Sequence, residues 1–291
     1  MTSTHEQWDI VSSVGLTALG VASGRAIETA RGGLINDPYA AAFVRAVKPV
    51  TSLPTSIDEI AEGEPEQVWD RMAGYLGVRS RFFDEYFAAV GIAQVVILAA
   101  GLDARAFRLD WPSGCDLYEV DQPKVLEFKQ QVLDEIGARP ACRRHAVATD
   151  LRDDWVATLT EAGFAPGRPT LWLAEGLLLY LPARAEEALF NEVHQLSAPG
   201  SSIALDRAPT HNADFMRNQP TPTFPGLPEF DFTKLISTEP RRNCVDWLRS
   251  VGWDVTVESA AEVSARYDHP VHPDFADMMK LGTLVTARRA G

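Results

Sequence analysis

The chain has 291 residues, 46% hydrophobic and 23% charged, with a formal net charge of −13, the make-up of a soluble globular protein with a full core. The acidic balance argues against a nucleic-acid partner, because phosphate binding takes a concentrated basic surface. Cys115, Cys142 and Cys244 lack CxxC spacing, MTSTHEQWDI lacks a signal-peptide core, and no apolar run approaches the roughly 20 residues that span a bilayer; these exclude a cysteine zinc site and a disulfide framework and point to a cytoplasmic protein with no membrane partner.

In chain order, residues 8 to about 90 read as helical. WDIVSSVGLTALGVASGRAIETA places Ile10, Val14, Ala18, Val21 and Ala22 near one face, and Gly15, Ala18, Gly20, Ala22 and Ser23 leave room for a neighbour. In NDPYAAAFVRAV, Asp37 is a helix cap and Pro38 fits the first helical position, where its missing N–H costs nothing. TSLPTSIDEIAEGEPEQ is a polar loop, and VWDRMAGYLGVRSRFFDEYFAAVG a long helix with an aromatic face that stops at Gly91. Strands are predicted at 95–100, 115–120, 143–149, 169–174, 201–206, 253–259 and 283–288, with helices at about 124–136, 152–162, 183–197 and 240–251. This alternation implies an α/β, doubly wound sheet. APTHNADFMRNQPTPTFPGLPEFDF, after the fifth strand, is too long for a plain connection and is expected to form a lid or substrate loop at about 209–236.

Ligands of doubly wound sheets sit beyond the carboxyl ends of the strands. Those ends here read AAGLDAR, YEVDQPKV, VATDLRDDW and WLAEGLLLYLP, and the last three supply Asp121, Asp150 and Glu175. Asp121 follows Gly101 by twenty residues, the length of one βα unit, where a carboxylate accepts from both hydroxyls of an adenosine ribose. Asp150 is placed to accept from an adenine amino group; helix capping is its alternative use, as a turn or cap is that of Asp121. Three carboxylates at three neighbouring strand ends need a compensating ligand, water or cation.

The loop VVILAAGLDARAFRL has one glycine, Gly101, and an acid, Asp103. A dinucleotide pyrophosphate needs more glycines and no acid beside it. S-adenosylmethionine has no phosphate and carries cationic groups, which suits Asp103. A nicotinamide dehydrogenase, the rival enzyme, lacks support, because no Tyr is followed four residues later by Lys. GxxxxGK[ST], GxSxG and HExxH are absent, and HPVH (His269, His272) shows no third ligand, so no metal is expected.

DPYAAAFV, VRSRFFDEYF, VVILAAGLDARAFRL, YEVDQPKVLEFK, ATDLRDDW and WLAEGLLLYLP resemble the leucine carboxyl methyltransferase family, most closely its bacterial branch of S-adenosylmethionine-dependent methyltransferases. The likeness covers roughly residues 10 to 205. It implies a seven-stranded Rossmann-like sheet with the last strand antiparallel, and an N-terminal helical cap over 1–90 that forms a single structural unit with a cofactor-binding domain over 91–291. By motif, Arg79 pairs with the methionine carboxylate, Gly101 lets the loop approach the methionine portion, Asp121 holds the ribose, Asp150 with Leu151 the adenine, and Glu175 lines the methionine end. Arg25 matches a basic cofactor contact in the cap. The family often has glycine two positions before Gly101, where this chain has Ala99.

The expected activity is S-adenosylmethionine-dependent O-methylation of a carboxylate on a small molecule or peptide. A carboxylate is already ionised at pH 7, so positioning and desolvation suffice. Tyr180 and Arg207 are candidate acceptor contacts. A hydroxyl or phenol acceptor needs a base, for which His211 is the histidine near the loop. A non-catalytic adenosylmethionine-binding protein is the alternative from another class.

Overall fold

The computed structural model describes residues 13–48, 51–60, 63–207, 235–269 and 276–291. The expected lid at about 209–236, with His211, falls almost wholly outside them, as does His272. Three helices come first: α1 (Ser13–Ala30), α2 (Ala40–Ala46) and α3 (Glu64–Val90). The remaining elements are β1 (Gln94–Leu98), α4 (Arg105–Arg108), β2 (Asp116–Asp121), α5 (Pro123–Glu135), β3 (Arg143–Ala148), α6 (Trp155–Glu161), β4 (Leu171–Ala174), α7 (Ala183–Leu196), β5 (Ser202–Arg207), α8 (Cys244–Ser250), β6 (Trp253–Ser259), α9 (Ala260–Arg266), α10 (Ala276–Leu281) and β7 (Thr283–Arg289). Among the described residues no helix is long and apolar enough to cross a membrane.

The strands form one seven-stranded sheet in the order β3-β2-β1-β4-β5-β7-β6. The first five are parallel, and β7 runs antiparallel to both β5 and β6. The seven strands lie within two residues of their predicted bounds at either end. The order reverses at β1, so the loops after β1 and β4 flank the crevice where such sheets take ligands.

Alternate side chains of each strand go to opposite faces. Val95, Ile97, Leu117, Leu171, Leu173 and Ala204 meet Leu19, Phe43, Trp69, Phe83 and Phe87 from the N-terminal helices. Val96, Leu98, Val120, Trp172, Ile203 and Leu205 meet Trp155, Leu159, Leu189, Phe190 and Leu248 on the other face. α3 is terminated by Gly91 in the left-handed region, as its sequence predicts. α1 packs on α3 through Gly24, where a Cβ would collide with the Leu76 side chain.

α2 starts two residues later than predicted. Pro38 lies in the turn before it, while the Asp37 carboxylate still accepts from the Tyr39 and Ala40 amides at 3.2 Å each. α6 likewise begins at Trp155, capped by Asp154, which accepts from Ala157 N–H at 3.2 Å. Capping therefore does not occupy Asp150. α9 and α10 fill a stretch for which no helix is predicted; Ser259 and Glu262 form a reciprocal cap that starts α9.

Candidate active site

The loop after β1 is shaped by two residues with left-handed backbone, Ala99 at φ 51° and Gly101 at φ 47°. Glycine takes such a conformation freely, whereas alanine there costs about 1 kcal/mol. The Ala99 departure from the family habit thus appears as backbone strain. A Cβ on Gly101 would stand 3.6 Å from the Ala18 Cβ of α1, so the loop sits directly under the N-terminal helix.

Asp121 ends β2 and ties the neighbouring loop to it. One carboxylate oxygen accepts Gly101 N–H at 2.5 Å and the other accepts Gln122 N–H at 2.6 Å. Burial raises its pKa to about 6 against these two hydrogen bonds. Gln122 Nε2 donates to Asp150 Oδ2 at 3.2 Å, linking the ends of β2 and β3. Asp150 is also clasped by Arg152, whose Nε and NH2 donate at 2.9 and 2.6 Å. Leu151 beside it packs against the core under α6. Gly101, Asp121, Asp150 and Leu151 therefore share one rim.

Arginines from α3 and α4 compensate the remaining carboxylates. Arg105, 2% exposed, donates to Asp84 Oδ1 at 2.7 Å, to Glu175 Oε2 at 2.7 Å and to Asp103. Asp103 also accepts the Arg105 backbone N–H at 2.7 Å. Burial pushes the Asp103 carboxyl up, but Arg105, with Lys129 and Arg25, outweighs it and holds the pKa at about 2. Asp103 is thus committed to Arg105 rather than left to face a cationic ligand. Arg108 forks onto Asp84 at 2.6 and 2.7 Å. The sequence reading does not single out Arg105, although the arginine follows Asp103 by two residues in the quoted loop.

Arg79 is buried. Its Nε lies 3.0 Å from Glu175 Oε1, and its NH1 donates to Asp206 Oδ2 at 3.1 Å. Against burial, Arg105 and then Arg79 hold the Glu175 carboxyl below its usual range. Asp206 ends the inward face of β5 and accepts Gly176 N–H at 2.6 Å. Burial raises its pKa more than Arg79 and that N–H lower it. Asp206 is not among the expected site residues, although it stands near the carboxyl end of its strand, as Asp121 does in β2. Arg25 donates to Asp37 Oδ2 at 3.0 Å and to the Leu102 carbonyl at 2.6 Å, pinning α1 to the loop.

The acceptor candidates separate. Tyr180 stands on the same side as Arg79; burial raises its phenol to about 12, with the Thr17 hydroxyl opposing. Tyr75 joins it, its ring 5.7 Å from the Arg79 guanidinium. Arg207 follows Asp206 and so belongs to the opposite face, where its charge acts on Glu186 and Cys244. The centre does not include it.

Arg79 Nε and Glu175 Oε1 face each other 3.0 Å apart, a buried ion pair without hydrogen-bond geometry. A buried guanidinium beside a buried carboxylate offers one group of each sign to the carboxylate and ammonium of an α-amino acid. Together with the Asp121–Asp150 rim, this fits the amino-acid and nucleoside ends of S-adenosylmethionine.

The sequence comparisons agree. A model of the leucine carboxyl methyltransferase family matches residues 18–194. A "Putative S-adenosyl-L-methionine-dependent methyltransferase" of Saccharopolyspora erythraea is 48% identical, with 99% of each chain covered. One of Mycobacteroides abscessus with the same description is 46% identical over 99% of this chain and 100% of its own. In fold, the chain is similar to the crystal structure of a "putative methyltransferase" from Thermobifida fusca YX, with a TM-score of 0.52, 17% identity, and coverage of 92% of this chain and 94% of that one. The chain belongs to the leucine carboxyl methyltransferase family, and it is an enzyme that uses S-adenosyl-L-methionine as its methyl donor.

Proposed function

We propose that this methyltransferase forms a methyl ester on a carboxylate of a small molecule or peptide. The reading is carried by the family match, which runs from α1 to α7 through Arg25, Arg79, Gly101, Asp121, Asp150 and Glu175. Asp121 would hold the ribose, Asp150 with Leu151 the adenine, Arg79 the methionine carboxylate and Glu175 the ammonium. Gly101 gives the backbone close access, while Asp103 and Arg25 keep the loop in shape from behind. S-adenosylmethionine supplies a methyl group on a sulfonium, already joined to a good leaving group. The chain's task is then to align the acceptor oxygen and strip its water, with no base required.

Asp206 favours a second reading. A buried carboxylate with a raised pKa beside Tyr75 and Tyr180 is suited to take a proton from a hydroxyl or phenol acceptor. Product chemistry separates the two. Labelled methyl should be transferred to members of a panel of carboxylic acids and peptides, and alkali should release the label as methanol. Transfer only to hydroxyl compounds, with label stable to alkali, overturns the ester reading.

A further inference from the structure

The guanidinium of Arg79 already faces two carboxylates. Its Nε faces Glu175, its NH1 holds Asp206, and a Cβ on Gly176 would stand 3.4 and 3.7 Å from NH1 and NH2. A ligand carboxylate that forks onto two nitrogens of this cation meets a carboxylate already at one of them. The two residents are unequal. Glu175 has a second cation, Arg105, 2.7 Å from its other oxygen, and its pKa is held down. Asp206, 4% exposed, has Arg79 as its one ion-pair partner among the described residues. The other groups facing it are the Gly176 N–H, the Glu175 carboxylate and the phenols of Tyr75 and Tyr180, none of them cationic. Without Arg79, a carboxylate buried this deeply is neutralised by protonation rather than left charged.

We propose that the cofactor's methionine carboxylate displaces Asp206 from Arg79, and that Asp206 takes up a proton from solvent as the cofactor binds. This rests on the reading of Arg79 as the partner of that carboxylate. One ion pair breaks, another forms, and one proton passes from the buffer to Asp206; no electrons change hands. The neutral carboxyl keeps an oxygen for Gly176 N–H and gains an O–H donor on the side of Tyr75 and Tyr180. It gives an anionic acceptor a hydrogen-bonding partner in a centre whose arginines are already paired. Asp206 is thereby an acceptor-recognition residue that the cofactor switches on.

The test is calorimetric titration of the full chain with S-adenosylhomocysteine at pH 7, in two buffers of different ionisation enthalpy. The wild type should take up about one proton per ligand bound. 5′-Methylthioadenosine, which has the nucleoside but no amino acid, should bind without uptake; Asp206→Asn should bind S-adenosylhomocysteine without uptake. Proton-neutral binding by the wild type, or uptake that persists in Asp206→Asn, overturns this inference and leaves the cofactor assignment standing. Failure of S-adenosylhomocysteine to bind at all overturns both. If Asp206→Asn does not fold, the two ligands on the wild type still decide, since equal uptake with both rules Asp206 out.

Discussion

Asp121 has a pKa of about 6, against an ordinary value of 3.8, so it ionises near neutral pH at a cost to the ligand-free fold. Because its folded pKa is raised, its contribution to stability is complete below about pH 4 and is lost as pH rises through 6. Relative to Asp121→Asn, the ligand-free wild type should therefore gain about 1 kcal/mol in chemical denaturation between pH 7 and pH 5. Ligand binding runs the other way. Ribose hydroxyls donate to the ionised form, so affinity for 5′-methylthioadenosine should fall as pH drops below about 6, and this fall should be absent in Asp121→Asn. A pH-independent affinity in the wild type would remove Asp121 from the ribose. The strand-end rule made Asp121, Asp150 and Glu175 legible in the sequence. Their partners were not legible, because Arg105 meets Glu175 across 70 residues of chain and Arg79 meets Asp206 across 127. Local pattern carries no information about which charges a fold brings together at that separation.

At the scale of elements, α5 is fastened to the sheet by charge as well as by apolar contact. Lys129 donates to Glu119 of β2 at 2.7 Å, with both side chains fully buried, and Arg144 of β3 reaches the same carboxylate at 2.7 Å. Burial lowers the Lys129 pKa despite Glu119. Among the described residues Glu119 pairs with two cations and Lys129 with one carboxylate, so their removal should be unequal. Lys129→Met, which leaves Glu119 on Arg144, should cost about 3 kcal/mol; Glu119→Leu, which strands a buried ammonium, should cost more. Urea denaturation checks the order, and equal losses would contradict it. None of this was visible beforehand, since both residues look like ordinary surface charges in YEVDQPKVLEFK. Strand positions, in contrast, were legible almost to the residue, because buried parallel strands leave short apolar runs that turns punctuate. α9 was not, although Ser259 and Glu262, three residues apart, carry the spacing of a capping box at its start.

Over the whole molecule, the helical cap and the cofactor-binding domain share one apolar cluster. Leu16, Leu19, Trp69 and Phe83 from the helices share it with Ile97, Leu117, Leu171 and Ala204 from the sheet. The chain should therefore unfold in one transition, with tryptophan fluorescence and circular dichroism coincident; two resolved transitions would show that residues 1–90 hold a stability of their own. The position of β7 bears on how this unit comes to exist. β7 follows every other strand in the chain, yet it lies between β5 and β6 and pairs with both. During synthesis β5 stays an open edge and β6 has no place in the sheet until β7 has been made. A chain that lacks β7 loses a strand from within the sheet, and presents a bare hydrophobic β5 to its neighbours. The sheet thus makes β7 a condition of escaping aggregation for the strands made before it.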